Sequence, residues 1–315
     1  MIAKHKISIL AFCVLLFPSC NNKVYLFTSF HEPANEGLRL LYSKDGYHWK
    51  TTDSIYLKPL IGKDKIMRDP SMLQGPDGIF HLVWTTEWKG GDGFGYAKSK
   101  DLVHWEDLKY LPFMHFDPFE TKGEPKPSNV VNVWAPELFY DDEKQEYIIV
   151  WASCLPGKFE KGIEDENNNH RLYYITTKDF KIFTEVKLFF DPKFSVIDAV
   201  IVKRKTKDYV LVLKDNTRPE RNIKVAFSNS PLGPWQNISK PFTEKFTEGP
   251  AVAKVKNGYL IYYDVYQNKK YGASFTKDFT TFIKADSLIS VPAGHKHGTI
   301  LKVNKKFIRQ LKIKN

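Results

Sequence analysis

A five-fold internal repeat restricts this chain more than any other feature. Ser or Thr, any residue, Asp or Ser and, a few positions on, Trp or Phe recur at Ser43-Lys44-Asp45 to Trp49, Ser99-Lys100-Asp101 to Trp105 and Thr177-Lys178-Asp179 to Phe183. Two further copies follow at Ser228-Asn229-Ser230 to Trp235 and Thr276-Lys277-Asp278 to Phe282. Ahead of each lies a β-rich run: Val24 to Phe30, Phe80 to Thr86, Tyr147 to Ser153, Tyr209 to Lys214 and Tyr259 to Val265. Val, Ile, Tyr, Phe and Trp crowd these runs, and no comparably long helical period appears, so each unit predicts strands joined by hairpins.

Four of the runs are preceded by another element: Asp69-Pro70-Ser71-Met72-Leu73, Ala135-Pro136-Glu137-Leu138-Phe139, Ile197-Asp198-Ala199-Val200-Ile201 and Glu248-Gly249-Pro250-Ala251-Val252. Its fifth copy, His297-Gly298-Thr299-Ile300-Leu301, sits near the carboxyl terminus, while the run at Val24 is the one that lacks it. The two incomplete pieces complement each other. They predict an all-β, five-bladed β-propeller whose closing blade is built from both chain ends. Units of roughly 50 residues suit four-stranded blades, and closure protects edges that an open array would expose. Residues 20–315 then read as a single propeller domain. The stretches between Trp105 and Val131 and from Leu155 to Asn169 read as insertions, and Glu160 to His170, rich in charged residues and Asn, as a solvated loop.

Residues 1–19 read as a removed signal peptide of lipoprotein type. Lys4 and Lys6 precede the mostly apolar run Ile7 to Phe17, too short to span a bilayer, and Pro18-Ser19-Cys20 follows. Cleavage before Cys20 would leave it as the lipidated first residue and place an exported, membrane-anchored protein at the periplasmic or cell-surface side. Cys154 then has no internal partner, so no disulfide framework is available. The formal net charge is +11, yet the cations are scattered instead of gathered on one face, which argues against a nucleic-acid partner.

In a propeller all innermost strands run the same way along the axis, so equivalent positions converge at one mouth. Asp69, Glu137, Asp198, Glu248 and His297 occupy roughly corresponding starts of those strands. Charges there cost desolvation energy unless paired or hydrated. Converging carboxylates repel, which raises at least one pKa and creates a proton donor beside a partner that stays ionised. Such a pair suits hydrolysis of a glycosidic bond. The competing use is a calcium in the central channel, held through water at His297, although no spaced His or Asp loop supports a dedicated cage. No cofactor is required by this reading.

Arg68-Asp69-Pro70-Ser71, Trp134-Ala135-Pro136-Glu137, Ile197-Asp198, Glu248-Gly249-Pro250 and His297-Gly298-Thr299, in this order at blade spacing, resemble glycoside hydrolase family 43, the five-bladed arabinofuranosidases, xylosidases and relatives. The likeness runs from about Val24 to Val303. It implies Asp69 as general base, Glu248 as general acid and Asp198 as the carboxylate that tunes the acid's pKa. It also implies inversion of configuration, with base and acid roughly 6.5–9.5 Å apart to admit water. Ala199 stands where the family pattern usually has Pro.

Trp49, Trp105 and Trp235 recur with the blade period and read as packing residues, as do Trp84 and Trp151 inside apolar runs. Trp134 and Trp88 flank the candidate site and are expected to form its wall with Arg68, Glu137 and His297, because sugar rings stack on aromatic faces. The expected activity is release of terminal sugars, α-L-arabinofuranose first, from polysaccharide-derived oligosaccharides. Xylose or galactose release, a glycoside phosphorylase and a non-catalytic sugar-binding propeller are the alternatives. The phosphorylase predicts Arg, Lys and His beside the acid in place of an intact base.

Overall fold

The computed structural model describes residues 22–52, 54–120 and 123–311; Cys20 and the signal segment lie outside them. Five antiparallel sheets form a five-bladed β-propeller. Innermost strand first, the first complete blade is Arg68–Gln74, Phe80–Thr85, Phe94–Ser99 and Trp105–Leu111. The second is Val133–Asp141, Glu146–Cys154, His170–Thr177 and Lys187–Phe190. The third has three strands, Val196–Lys205, Asp208–Asp215 and Asn222–Ser228, with its outer edge covered by the isolated bridge between Phe227 and Gln236. The fourth is Thr247–Val255, Gly258–Val265, Lys270–Thr276 and Ile283–Lys284.

The closing blade joins the two ends of the chain as expected. Ile300–Asn304 is its innermost strand and pairs antiparallel with Lys23–Ser29, Val24 opposite Val303, before Arg39–Ser43 and Lys50–Thr51 complete the sheet. Among the described residues the apolar core divides into five clusters, each a seam between neighbouring blades. One seam sets Leu26 and Val303 of the closing blade against Met72 and Leu82 of the first; another sets Phe27 and Ile300 against Ala253 and Tyr262 of the fourth. The ring is thus held by apolar burial on both faces of every sheet.

The repeated Ser/Thr-x-Asp motif makes the turn between the third and outer strands. Ser99 Oγ accepts from the Leu102 N–H at 2.9 Å, and Asp101 Oδ1 accepts from the N–H groups of Val103 and His104 at 2.9 and 2.8 Å. The side chains thereby replace ladder partners that a tight turn cannot supply. The next residue takes a left-handed backbone at Gly46, Leu102, Phe180 and Phe279, and the last three bury their side chains in the seams. Trp49 and Trp235 are buried and Trp105 half-buried, while Trp84 and Trp151 are fully enclosed.

Candidate active site

Each complete blade's innermost strand begins with a β-bulge. The pairing shifts between Arg68 and Ser71, Trp134 and Glu137, Ile197 and Val200, and Glu248 and Ala251. The second residue of each bulge has a positive φ: 50° at Asp69, 47° at Ala135, 52° at Asp198 and 58° at Gly249. Bulges re-aim side chains beside active sites, and Asp tolerates the left-handed region better than most residues. Asp198 adopts the same bulge as Asp69 with Ala199 in place of proline.

This register shows how rough the correspondence of the five ionisable residues is. Glu248 is first in its bulge and Asp69 and Asp198 are second, whereas Glu137 is fourth and points further down the channel. Asp69, Asp198, Glu248 and His297 line one cavity of about 350 Å³ with Arg68, Trp88 and Trp134. Glu137 instead lines a separate space of about 300 Å³ toward the other end of the channel, with Val200, Val252 and Thr299. It does not line the cavity of the other three carboxylates, though its charge still reaches His297. Glu137 accepts a 2.8 Å hydrogen bond from the Thr299 hydroxyl, and burial pushes its pKa up to about 7 against the hydrogen bonds of Ser71 and Thr299.

Asp69 is held by the closing blade and by its own. His297 Nδ1 lies 3.2 Å from one carboxylate oxygen, and the Thr85 hydroxyl donates to the other at 3.0 Å while accepting from the Ala135 N–H at 2.8 Å. Burial works to raise the Asp69 pKa, but the His297 hydrogen bond and charge, together with Arg68, hold it below the usual carboxylate range. Burial likewise opposes charge on His297, yet Asp69 and the charges of Asp198 and Glu137 raise it to about 9. The two form an ion pair at neutral pH.

Glu248 departs from the expected electrostatics. Lys214 Nζ sits 2.8 Å from its carboxylate, and although burial works to raise Glu248, this cation lowers it below the ordinary value. Repulsion among carboxylates does not decide its state; an adjacent ammonium does. The carboxylate that is raised is Asp198, by burial first, with the charges of Glu248 and Asp69 adding to it against His297 and Lys214. Asp198 accepts from the Gly249 N–H at 3.0 Å, which ties it to the bulge that carries Glu248.

The two candidate tryptophans meet at the wall. Their rings stack at 5.1 Å, Trp134 Nε1 donates to the Trp88 carbonyl at 3.0 Å, and the Arg68 guanidinium lies 4.7 Å from the Trp88 ring. Trp88 stays 49% exposed, so part of its ring is within reach of a ligand entering the cavity. Behind Trp134 stacks the buried His170, whose burial lowers its pKa to about 4.

The loop from Glu160 to His170, expected to be solvated, is so in part: Glu160 to Ile163, Asp165 and Asn167 are exposed, but its other residues turn inward. Glu164, Asn169 and His170 are buried, and Asn168 lines the cavity, where its Oδ1 accepts from Asn216 Nδ2 at 3.1 Å. Lys214, Asn216, Arg221 and Tyr266 also line it and were missed, because they stand at the ends of strands or just beside them without any repeat signal. Lys214 alone had a visible cue, a charge inside an otherwise apolar strand. No three of the described His, Cys, Asp and Glu side chains are arranged to hold a metal ion, and His297 spends Nδ1 on Asp69.

A model described as a probable glycosyl hydrolase domain, of the glycosyl hydrolase 43-related kind, matches residues 21–308. The chain belongs to this family. It is a glycoside hydrolase, and its five-bladed fold is shared with solved family-43 enzymes. A β-1,3-galactosidase with bound galactodeoxynojirimycin superposes with a TM-score of 0.59 at 15% identity, over 84% of this chain and 90% of that one. An endo-1,4-β-xylanase from Bacteroides thetaiotaomicron gives 0.55 at 15%, over 89% and 94%. An α-L-arabinofuranosidase from Lactobacillus brevis gives 0.51 at 20%, over 70% and 72%. At these identities the likeness of this glycosyl hydrolase 43-related chain to them is one of fold. No match to a curated protein sequence was found.

Proposed function

We propose that this glycoside hydrolase inverts configuration and releases terminal α-L-arabinofuranose from polysaccharide-derived oligosaccharides. Asp69 acts as general base, Glu248 as general acid, and Asp198 sets the proton affinity of Glu248. The observation that carries the reading is the meeting of three carboxylates from three blades in one cavity with an aromatic wall. Asp69, kept ionised by His297 and Arg68, draws a proton from a water molecule that attacks the anomeric carbon. The oxygen of the leaving group takes its proton from Glu248. Asp198 and Glu248 interact and titrate as a pair. In the free site Lys214 holds the Glu248 pKa down while burial raises that of Asp198; an incoming glycosidic oxygen that displaces Lys214 Nζ lets Glu248 carry the proton it donates.

The choice of arabinose rests on the family resemblance and on an arabinofuranosidase among the fold neighbours; xylose and galactose are the next sugars to test. A phosphorolytic reaction finds some support in Arg68, Lys214, Arg221 and His297, but leaves Asp69 without a task, because phosphate needs no base to become a nucleophile. Aryl glycosides of the three sugars, assayed with and without inorganic phosphate, separate these readings. Arabinoside hydrolysis indifferent to phosphate supports the proposal, and strict dependence on phosphate overturns it. We also propose that Cys20 is acylated and holds the enzyme at the membrane. Cys20→Ala should then leave the membrane fraction, and an unacylated wild-type terminus in mass spectrometry would refute the anchor.

A further inference from the structure

The cations of the cavity are matched one to one with acids, with a single exception. Lys214 pairs with Glu248, His297 with Asp69, and Arg68 with Glu32. Arg221 stands outside this scheme. It lies at the lip between the third and fourth blades, where its carbonyl accepts from the Thr247 N–H at 3.0 Å, next to Glu248. Its side chain lines the cavity, its Nε is buried without a hydrogen-bond partner, and no described carboxylate reaches its guanidinium. The nearby acids in sequence are already taken: Glu220 by Lys245 at 3.0 Å and Asp215 by Lys224 at 2.7 Å. By contrast Arg39, Arg171, Arg204 and Arg218 each hold a carboxylate.

A second donor waits at the same lip. Tyr266 follows the strand Gly258–Val265, lines the cavity, and its hydroxyl is buried with no partner. Lys214 Nζ lies 5.3 Å from its ring, so the hydroxyl belongs to the same polar corner. Burying an unpaired guanidinium edge and a hydroxyl costs stability, and such donors are normally satisfied. The planar guanidinium fork fits the two oxygens of a carboxylate, and such charge-assisted bonds are the strong ones.

We infer that Arg221 and Tyr266 form a recognition site for the carboxylate of a uronic acid, so that the substrate is an acidic oligosaccharide. The uronate unit adjoins the bond that is cut. This deepens the glycosidase reading and rests on it for turnover, though not for binding. The net charge of +11 acts in the same direction, drawing a polyanionic glycan toward the protein.

The probes are uronate-bearing oligosaccharides from glucuronoarabinoxylan and from pectic side chains, each compared with its own carboxyl-reduced form, in which –COO⁻ has become –CH₂OH and nothing else has changed. A sulfated oligosaccharide set distinguishes carboxylate from any anion. Turnover is measured on the wild type, and binding on Asp69→Asn by titration calorimetry. The acidic form should be preferred by roughly 10- to 100-fold, the worth of hydrogen bonds to a charged group. Arg221→Gln should bring the ratio of acidic to reduced substrate close to one, and Arg221→Lys should restore part of it, with circular dichroism confirming that both variants fold. Equal use of acidic and reduced forms overturns the inference while leaving the glycosidase intact. Selective binding of the acidic form without turnover of any probe supports the inference and counts against the glycosidase reading. A preference for sulfated over uronate probes, or a preference that Arg221→Gln leaves unchanged, also overturns it.

Discussion

At the level of single residues, the chemistry depends on which cation sits beside which acid. Asp69 owes its ionised state to His297, and Glu248 owes its lowered pKa to Lys214. The second pairing is open to a direct test. Removing a cation raises the pKa of the carboxylate it held. In Lys214→Met the alkaline limb of the pH profile, where the acid loses its proton, should move to higher pH. A limb that stays in place or moves down would show that Lys214 does not govern the proton donor. The acids and His297 were legible in the sequence because they recur in order within a repeated element. Lys214, Asn168, Arg221 and Tyr266 were not, since each belongs to one blade only and reaches the cavity through strand ends and loops whose course no repeat encodes.

The element that gives the site its shape is the bulge. Four innermost strands share it, and its second residue decides whether an acid, as at Asp69 and Asp198, or a small residue, as at Ala135 and Gly249, turns into the mouth. The repeat made these strands readable, but the extra residue in each ladder was not. Two positions further along the same element, Glu137 sits down the channel while Asp69 and Asp198 remain in the mouth. Gly249 shows how tight the fit is. With φ at 58°, a Cβ there would lie 2.4 Å from Cγ of the His297 ring. Gly249→Ala should therefore push His297 off Asp69 and cost about 1–3 kcal/mol of stability, from overpacking and left-handed strain together. It should also lose activity far beyond what the lowered stability explains. Thermal unfolding and kcat measured on the same preparation check this, and a variant with wild-type values for both would contradict the packing described.

On the scale of the molecule, the closing blade turns five sheets into a ring. Its split origin was readable from two complementary fragments at opposite ends of the sequence, whereas the missing outer strand of the third blade left no comparable trace. Deleting residues 296–315 removes the innermost closing strand with Ile300, Val303, Phe307 and Ile308, all buried. At typical costs for large apolar residues this loss is on the order of 10 kcal/mol, as large as the whole stability of an ordinary domain. The truncated chain should be insoluble or unfold without a cooperative transition. A soluble truncation with an unchanged melting temperature would disprove closure by both ends. The ring in turn brings acids from separate blades to one cavity, and the claim that follows is a single displacement by water. Proton NMR of the sugar released in the first minutes of hydrolysis, before the anomers equilibrate, measures this directly. The account predicts a first-formed product of inverted anomeric configuration; a product that keeps the configuration of the substrate would contradict the roles given to Asp69 and Glu248.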